Sequence, residues 1–173
     1  RPGCDGEEPE EWLLRMGILV LGIGNTLLSD EGVGVHVVHA LLNSPNCPRE
    51  NVEYMDGGTL SFTLAVPIQS ADALIVIDAA QLGSRPGTLQ VFVGDEMDRF
   101  LFSNRKSSVH EVGLTDLRAI AVLAGHWPER RALIGIQPQK LDWGEYPTDD
   151  VAAAIPVACR QVNSLIDGWL NGA

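Results

Sequence analysis

Cysteine and basic residues are scarce in this sequence, and each scarcity excludes a class of protein. The 173 residues include three cysteines, at positions 4, 47 and 159, too few and too far apart for a disulfide framework or a Cys-x-x-Cys metal or redox motif. Lys and Arg number 12 against 23 Asp and Glu, which gives a formal net charge of −11. That charge disfavours nucleic acid and anionic membranes as partners. The acidic charge does not exclude a protein partner, including one that carries a metal.

Long hydrophobic runs are also lacking. No apolar stretch approaches the roughly 20 residues that a membrane-spanning helix needs, and residues 1–15 lack the basic start and apolar segment of an export signal. We therefore expect a cytoplasmic protein without membrane contact. Residues 1–15 are acidic and contain glycine and proline, so we expect an extension outside the core, with one domain at residues 16–173. A hydrophobic content of 45% is enough to fill the core of a single domain.

The sequence does contain a regular alternation of strand and helix patterns. Short apolar runs predict strands at 18–21, 52–55, 73–77, 88–93 and 132–136. Helical spacing predicts helices at 31–42, 60–68, 114–123 and 149–170, with Pro67 weakening or ending the second. Such alternation is typical of a three-layer α/β/α sandwich with a mostly parallel twisted sheet, in which strand 88–93 suits an antiparallel edge. Residues 94–112 carry charge with little periodicity and are predicted as a long loop.

The segment 17–42 places two acidic residues beside a predicted strand end. The strand is followed by residues that permit tight turns or unusual backbone dihedrals, namely Gly22, Gly24 and Asn25. Ser29 or Asp30 can then cap the helix that begins near Glu31. In open α/β sheets ligands bind where the carboxyl ends of parallel strands meet. Asp30 and Glu31 are therefore expected at the edge where chemistry takes place.

Three interpretations of this acidic pair are open. Carboxylates in a first helical turn oppose the helix dipole favourably, by about 0.3–1 kcal/mol each, which needs no ligand at all. Gly22-x-Gly24 could belong to a dinucleotide-binding loop, but Leu27 stands where the third glycine should be, and two carboxylates would repel a pyrophosphate. A carboxylate presented to a cation fits the pattern better.

Two further residues stand at positions that suit a ligand. Asp78 directly follows the most apolar predicted strand, so it shares the carboxyl edge with Glu31 if the two strands are neighbours. His110 lies in the predicted long loop, just before a helix, and histidine is the commonest metal ligand. Taken singly, Asp78 could be a capping or turn aspartate, and His110 an ordinary surface or capping histidine. His36 and His39 have a spacing that can share a metal, but without a recognisable acidic companion they are interpreted as surface residues.

Four segments occur in order along the chain: GIGNTLLSDEGVG at 22–34, VIDAA at 76–80 with RPGT at 85–88, SVHEVGL at 108–114, and IGIQPQKLDWG at 134–144. Together they resemble the hydrogenase maturation endopeptidases, and the likeness covers roughly residues 16–169. The resemblance implies an α/β/α endopeptidase that removes a short C-terminal peptide from the large-subunit precursor of a nickel–iron hydrogenase after nickel insertion. A non-catalytic nickel-sensing chaperone or docking module for the same precursor is the alternative, and a nucleotide-dependent oxidoreductase is a more distant one.

The resemblance also implies a site. In that family an acidic residue of the first loop, an aspartate after a central strand and a histidine of a later loop bind the metal, and the matching residues are Glu31, Asp78 and His110. It further implies that nickel arrives already bound to the precursor. By chemistry alone, this oxygen and nitrogen donor set also suits zinc, manganese or cadmium. Whether the metal polarises the scissile carbonyl or only marks a completed precursor is left open.

Overall fold

A computed structural model of the chain describes residues 16–103, 114–123 and 125–172, where five strands and five helices are present. The strands are β1 (Met16–Gly22), β2 (Val52–Asp56), β3 (Ala71–Ala79), β4 (Leu89–Val93) and β5 (Arg130–Ile136). The α-helices are α1 (Val33–Leu42), α2 (Ala65–Ser70), α3 (Asp95–Ser103), α4 (Leu114–Leu123) and α5 (Asp149–Leu170). Short 3-10 helices, Ser29–Gly32 and Phe62–Leu64, precede α1 and α2. No helix within these described ranges combines the length and hydropathy needed to traverse a bilayer.

The five strands form one sheet in the order β2-β1-β3-β5-β4. The first four are parallel, and β4 runs antiparallel to β5 at the edge, as the sequence predicts. Helices α1 and α5 pack on one face of the sheet, and α2, α3 and α4 pack on the other, so each face has its own apolar core. The predicted α/β/α sandwich is therefore confirmed.

The central strands carry apolar side chains on both faces of the sheet. Leu19 and Leu21 of β1 point into one core while Ile18 and Val20 point into the other, and all four are buried. Strand β3 shows the same double burial. A strand that is covered on both sides needs this continuous apolar pattern, whereas the edge strands β2 and β4 are only partly buried.

Glycines let α1 approach the sheet closely. A Cβ atom on Gly34 would overlap the carbonyl oxygens of Ile77 and Ile23, and one on Gly22 would overlap the carbonyl of Gly34. The backbone of Ile23 also donates a hydrogen bond to the carbonyl of Ile77, at 2.9 Å. The first turn of α1 therefore lies directly over the ends of β1 and β3.

Two sequence predictions about elements are wrong. Residues 95–103 form helix α3 and not a loop, because Met97, Phe100 and Leu101 have helical spacing and pack into the core under a charged outer face. Pro67 does not end its helix. It lies in the first turn of α2, where a missing N–H costs little, and the helix continues to Ser70.

Candidate active site

Glu31 is held in the turn that links β1 to α1. It belongs to the 3-10 helix Ser29–Gly32, which packs against β3, and its side chain is only 6% exposed. The preceding loop folds tightly around it: Gly24 has φ +132°, and a Cβ there would overlap the Glu31 carbonyl oxygen. The prediction that Gly24 supplies an unusual backbone conformation is confirmed.

Asp78 lies in β3, one residue before the strand ends, and is opposite Gly135 of the neighbouring strand β5. The residue as a whole is partly buried, and its carboxyl group is on the buried side. The pKa of Asp78 is raised to about 8, mainly by burial and to a smaller extent by the negative charge of Glu31, while the backbone N–H of Ala79 acts to lower it. Strands β1 and β3 are adjacent, so the structure brings Glu31 and Asp78 to the same edge and within electrostatic range.

The third predicted ligand, His110, lies outside the described residues, as does the extension at 1–15. Among the residues that are described, no three His, Cys, Asp or Glu side chains cluster closely enough to hold a metal ion. Of the three predicted ligands, the structure describes Glu31 and Asp78.

Asp30 does not cap a helix, which corrects one sequence prediction. It is fully buried, and its carboxylate accepts hydrogen bonds from the backbone N–H groups of Gln139, Lys140 and Thr148, at 2.8, 2.9 and 2.6 Å, and from the Thr148 hydroxyl at 3.0 Å. Burial raises the pKa of Asp30, but these hydrogen bonds outweigh it and the pKa lies below its ordinary value. Asp30 therefore fixes a distant loop, which we call the clamped loop and define as residues 139–148.

Ser29 joins the same two segments through its backbone and side chain. Its N–H donates to the Gly144 carbonyl at 2.7 Å, its hydroxyl donates to the Asp142 carbonyl at 2.9 Å, and the Gly144 N–H donates to the Leu27 carbonyl at 3.0 Å. A side chain on Gly144 would overlap the Ser29 hydroxyl. Ser29, with φ 50°, and not Asn25, is the non-glycine residue of this loop with a positive φ, while the Asn25 side chain accepts from the Leu27 N–H. The clamped loop is thus bonded to the turn immediately before Glu31.

Gln137 is a buried residue at this edge that the sequence interpretation missed. Its carboxamide oxygen accepts from the Leu82 N–H at 2.7 Å, and its amide nitrogen donates to Gln81 and to the Pro138 carbonyl at 3.0 and 3.1 Å. These bonds tie the segment after Asp78 to the end of β5. The sequence did contain a signal for Gln137, because it is a polar residue directly after a strand predicted to be buried.

The histidine pair on α1 is only partly at the surface. His39 is exposed and its Nε2 lies 3.2 Å from a carboxylate oxygen of Asp56, so an acidic companion does exist, supplied by β2. His36 is half-buried, and burial together with the nearby His39 lowers its pKa.

Comparison with known proteins decides the family. The profile of the family described as "Hydrogenase maturation protease" matches residues 35–165, which is more than half of the chain. The chain belongs to the hydrogenase maturation protease family. The fold and the family expected from the four sequence segments are thereby confirmed.

Individual relatives of this maturation protease agree with the family match. It is 40% identical over 153 residues to the hydrogenase expression/formation protein HupD of Rhizobium leguminosarum bv. viciae, covering 88% of this chain and 75% of the relative. It is 38% identical over 148 residues to the hydrogenase 2 maturation protease of Escherichia coli K12, covering 85% and 88%. The solved structure of the E. coli hydrogenase maturating endopeptidase HybD superposes with a TM-score of 0.78 at 34% identity, covering 88% and 94%.

The described side chains near Glu31 and Asp78 indicate which kinds of chemistry this maturation protease can support. Cys47 and Cys159 are free thiols, but neither lies on the turn that carries Glu31 or on strand β3, which carries Asp78. The groups that converge at the sheet edge are carboxylates, which serve as cation ligands or as general acids and bases rather than as strong nucleophiles.

Proposed function

We propose that this protease removes a C-terminal peptide from the large-subunit precursor of a nickel–iron hydrogenase after nickel has been inserted. The observation that supports this most is the convergence of Glu31 and Asp78 at the carboxyl edge of the sheet in a hydrogenase maturation protease. Peptide hydrolysis at that edge needs a group that activates the scissile carbonyl or the attacking water, and two carboxylates can hold a cation that does so.

The carboxylate pair fits a divalent metal. Burial is the main cause of the raised pKa of Asp78 and the negative charge of Glu31 adds to it, so a dication between the two carboxyl groups would stabilise the ionised form of Asp78. Glu31, Asp78 and His110 are the residues proposed to hold it, with His110 resting on its sequence motif. A bound metal would polarise a carbonyl oxygen or lower the pKa of a water molecule. Nickel is proposed to arrive with the precursor, as part of the substrate, while other divalent metals can occupy the same donors in vitro.

The residues around the pair have separate tasks in this proposal. Glu31 and Asp78 contact the metal-bearing part of the precursor, while Asp30 holds the turn that carries Glu31. Gln137 holds the segment that follows Asp78. Preorganised supports of this kind matter because a displacement of about 1 Å at a reacting group can cost roughly 100-fold in rate.

The proposal is tested by following the C-terminal mass of the precursor. We expect the wild-type protein to cleave the nickel-loaded precursor and to leave the nickel-free precursor intact. Asp78→Asn and His110→Ala should each lower the cleavage rate by at least about 100-fold, since each removes a group from the reaction. Asp72→Asn is the matched control because Asp72 is an exposed aspartate at the other end of the same strand, and it should cleave normally.

Each other outcome has a definite meaning. Equal cleavage of loaded and nickel-free precursor would reject nickel as the signal. A stable complex with an intact C-terminus would instead indicate a docking module that cuts nothing. Normal cleavage by Asp78→Asn would reject the proposed site.

A further inference from the structure

Four exposed apolar side chains belong to the two loops that Ser29 and Asp30 join. Trp143 and Tyr146 are 76% and 78% exposed, and Leu27 and Leu141 are 47% and 45% exposed. Trp143, Tyr146 and Leu141 belong to the clamped loop, and Leu27 belongs to the loop that leads to Glu31. We call these four residues the aromatic rim. Large aromatic side chains lose favourable burial when they stay in water, so such a group at one edge marks a surface of interaction.

The backbone beneath the aromatic rim is firmly held. Gly144, next to Trp143, exchanges hydrogen bonds with Leu27 and Ser29 at 3.0 and 2.7 Å. The buried Asp30 carboxylate fixes Gln139, Lys140 and Thr148 on either side of the exposed residues. Exposed aromatic residues on a loop anchored at both ends bind with little loss of conformational entropy. The backbone that carries the aromatic rim is thus preorganised before any partner binds.

The position and charge of the rim favour one occupant. Asp30 and Glu31 are consecutive residues, so the two loops that carry the rim are joined directly to the turn that carries Glu31. The clamped loop carries Asp142 and Glu145 against Lys140, and the chain has a formal net charge of −11. An anionic membrane and a second copy of this acidic chain are both disfavoured by that charge. Apolar and basic side chains complement the rim, since cations are attracted to the faces of Trp and Tyr.

We propose that the aromatic rim docks the stretch of the precursor that adjoins its scissile bond, through apolar and basic side chains of that stretch. This inference rests on the proposed function, because it takes the substrate of the same site as the occupant. The rim supplies affinity and register, while Glu31 and Asp78 serve the reaction.

Steady-state cleavage of the nickel-loaded precursor tests the rim. We expect Trp143→Ala/Tyr146→Ala to raise KM by at least about tenfold, as loss of two aromatic anchors does at other interfaces, with kcat within about twofold of wild type. Leu42→Ala/Leu170→Ala is the control, since it truncates two half-exposed side chains at the ends of α1 and α5. Its KM should match wild type. Trp143→Phe/Tyr146→Phe, which keeps both rings, should recover most of the lost affinity.

The outcomes separate this inference from the proposed function. If wild type leaves the loaded precursor uncut, the proposed function fails. If wild type cuts and the double alanine variant has an unchanged KM, or loses only kcat, then docking at the rim is rejected and the proposed function stands. Sedimentation analysis adds a second test: a wild-type dimer that the double alanine variant abolishes would assign the rim to a second copy of the chain and overturn the proposal.

Discussion

Two consecutive carboxylates, Asp30 and Glu31, have opposite environments at the scale of single residues. Asp30 accepts hydrogen bonds from three backbone N–H groups and a hydroxyl, whereas Glu31 lies close enough to Asp78 for its charge to raise the pKa of that carboxyl group. The sequence alone shows two acidic residues at a helix start, for which capping is the ordinary explanation. The partners of Asp30 lie 109 to 118 positions away, so local sequence carried no sign of its role.

Asp30→Asn tests the clamp. An amide has one acceptor oxygen, and its NH2 group would face N–H donors, so we expect a loss of about 2–4 kcal/mol in the free energy of unfolding at pH 7, roughly 5–15 °C in melting temperature. Asp142→Asn, an exposed change on the same loop, should leave the melting temperature within about 1–2 °C. Equal melting temperatures of Asp30→Asn and wild type, measured by circular dichroism, would contradict the clamp.

The same residue predicts a pH dependence. Because the folded pKa of Asp30 lies below the ordinary value of 3.8, its carboxylate stabilises the fold above pH 3.8, and this stabilisation disappears as the pH falls through the folded pKa. The melting temperatures of wild type and Asp30→Asn should therefore converge as the pH is lowered from about 5 towards 2.

At the scale of elements, α3 is attached to β5 mainly through Arg131. Its guanidinium donates to both oxygens of Asp98 at 3.1 and 2.9 Å, to Asp95 at 3.0 Å, and to the carbonyls of Pro128 and Glu129. Arg131 is only 9% exposed, so the pair with Asp98 lies in a largely dehydrated place. This attachment orients α3 even though few of its residues are buried.

Arg131→Met tests that attachment. It leaves the half-buried Asp98 with Arg118, at 3.3 Å, as the remaining cation, so we expect a loss of about 2–4 kcal/mol in stability and faster amide hydrogen exchange in α3. Arg130→Met is the matched control, because the exposed Arg130 donates only to the Trp169 carbonyl. If exchange in α3 were unchanged, another contact would have to hold the helix.

The strands and long helices could be predicted from sequence because their apolar periodicity is continuous, as in β3 and α5. Helix α3 could not, because its one buried residue, Met97, and two partly buried residues, Phe100 and Leu101, are interspersed with Asp95, Glu96, Asp98 and Arg99. The positions of Gly24 and Asp78 were predictable from strand ends and turn chemistry. The support given by Gln137 and Asp30 was not, because it depends on contacts between segments far apart in the chain.

At the scale of the whole molecule, the candidate site lies at the ends of the central strands β1 and β3, which we expect to be the most protected from amide exchange. β1 and β3 are central, with a strand on each side and an apolar core on each face, while β2 and β4 are edges. We expect the slowest amide exchange in β1 and β3, and exchange at least about tenfold faster in β2 and β4, since edge strands open without disturbing either core. Protection in β2 equal to that in β3, measured by mass spectrometry, would show that another contact covers that edge.

The long reach of the Asp30 carboxylate has a consequence during synthesis. A ribosome adding about 5–20 residues per second takes roughly 6–24 s to pass from Asp30 to Thr148, and until then the first loop lacks the donors that fix it. A nascent chain that already contains Glu31 and Asp78 therefore still lacks the contacts that hold the turn carrying Glu31.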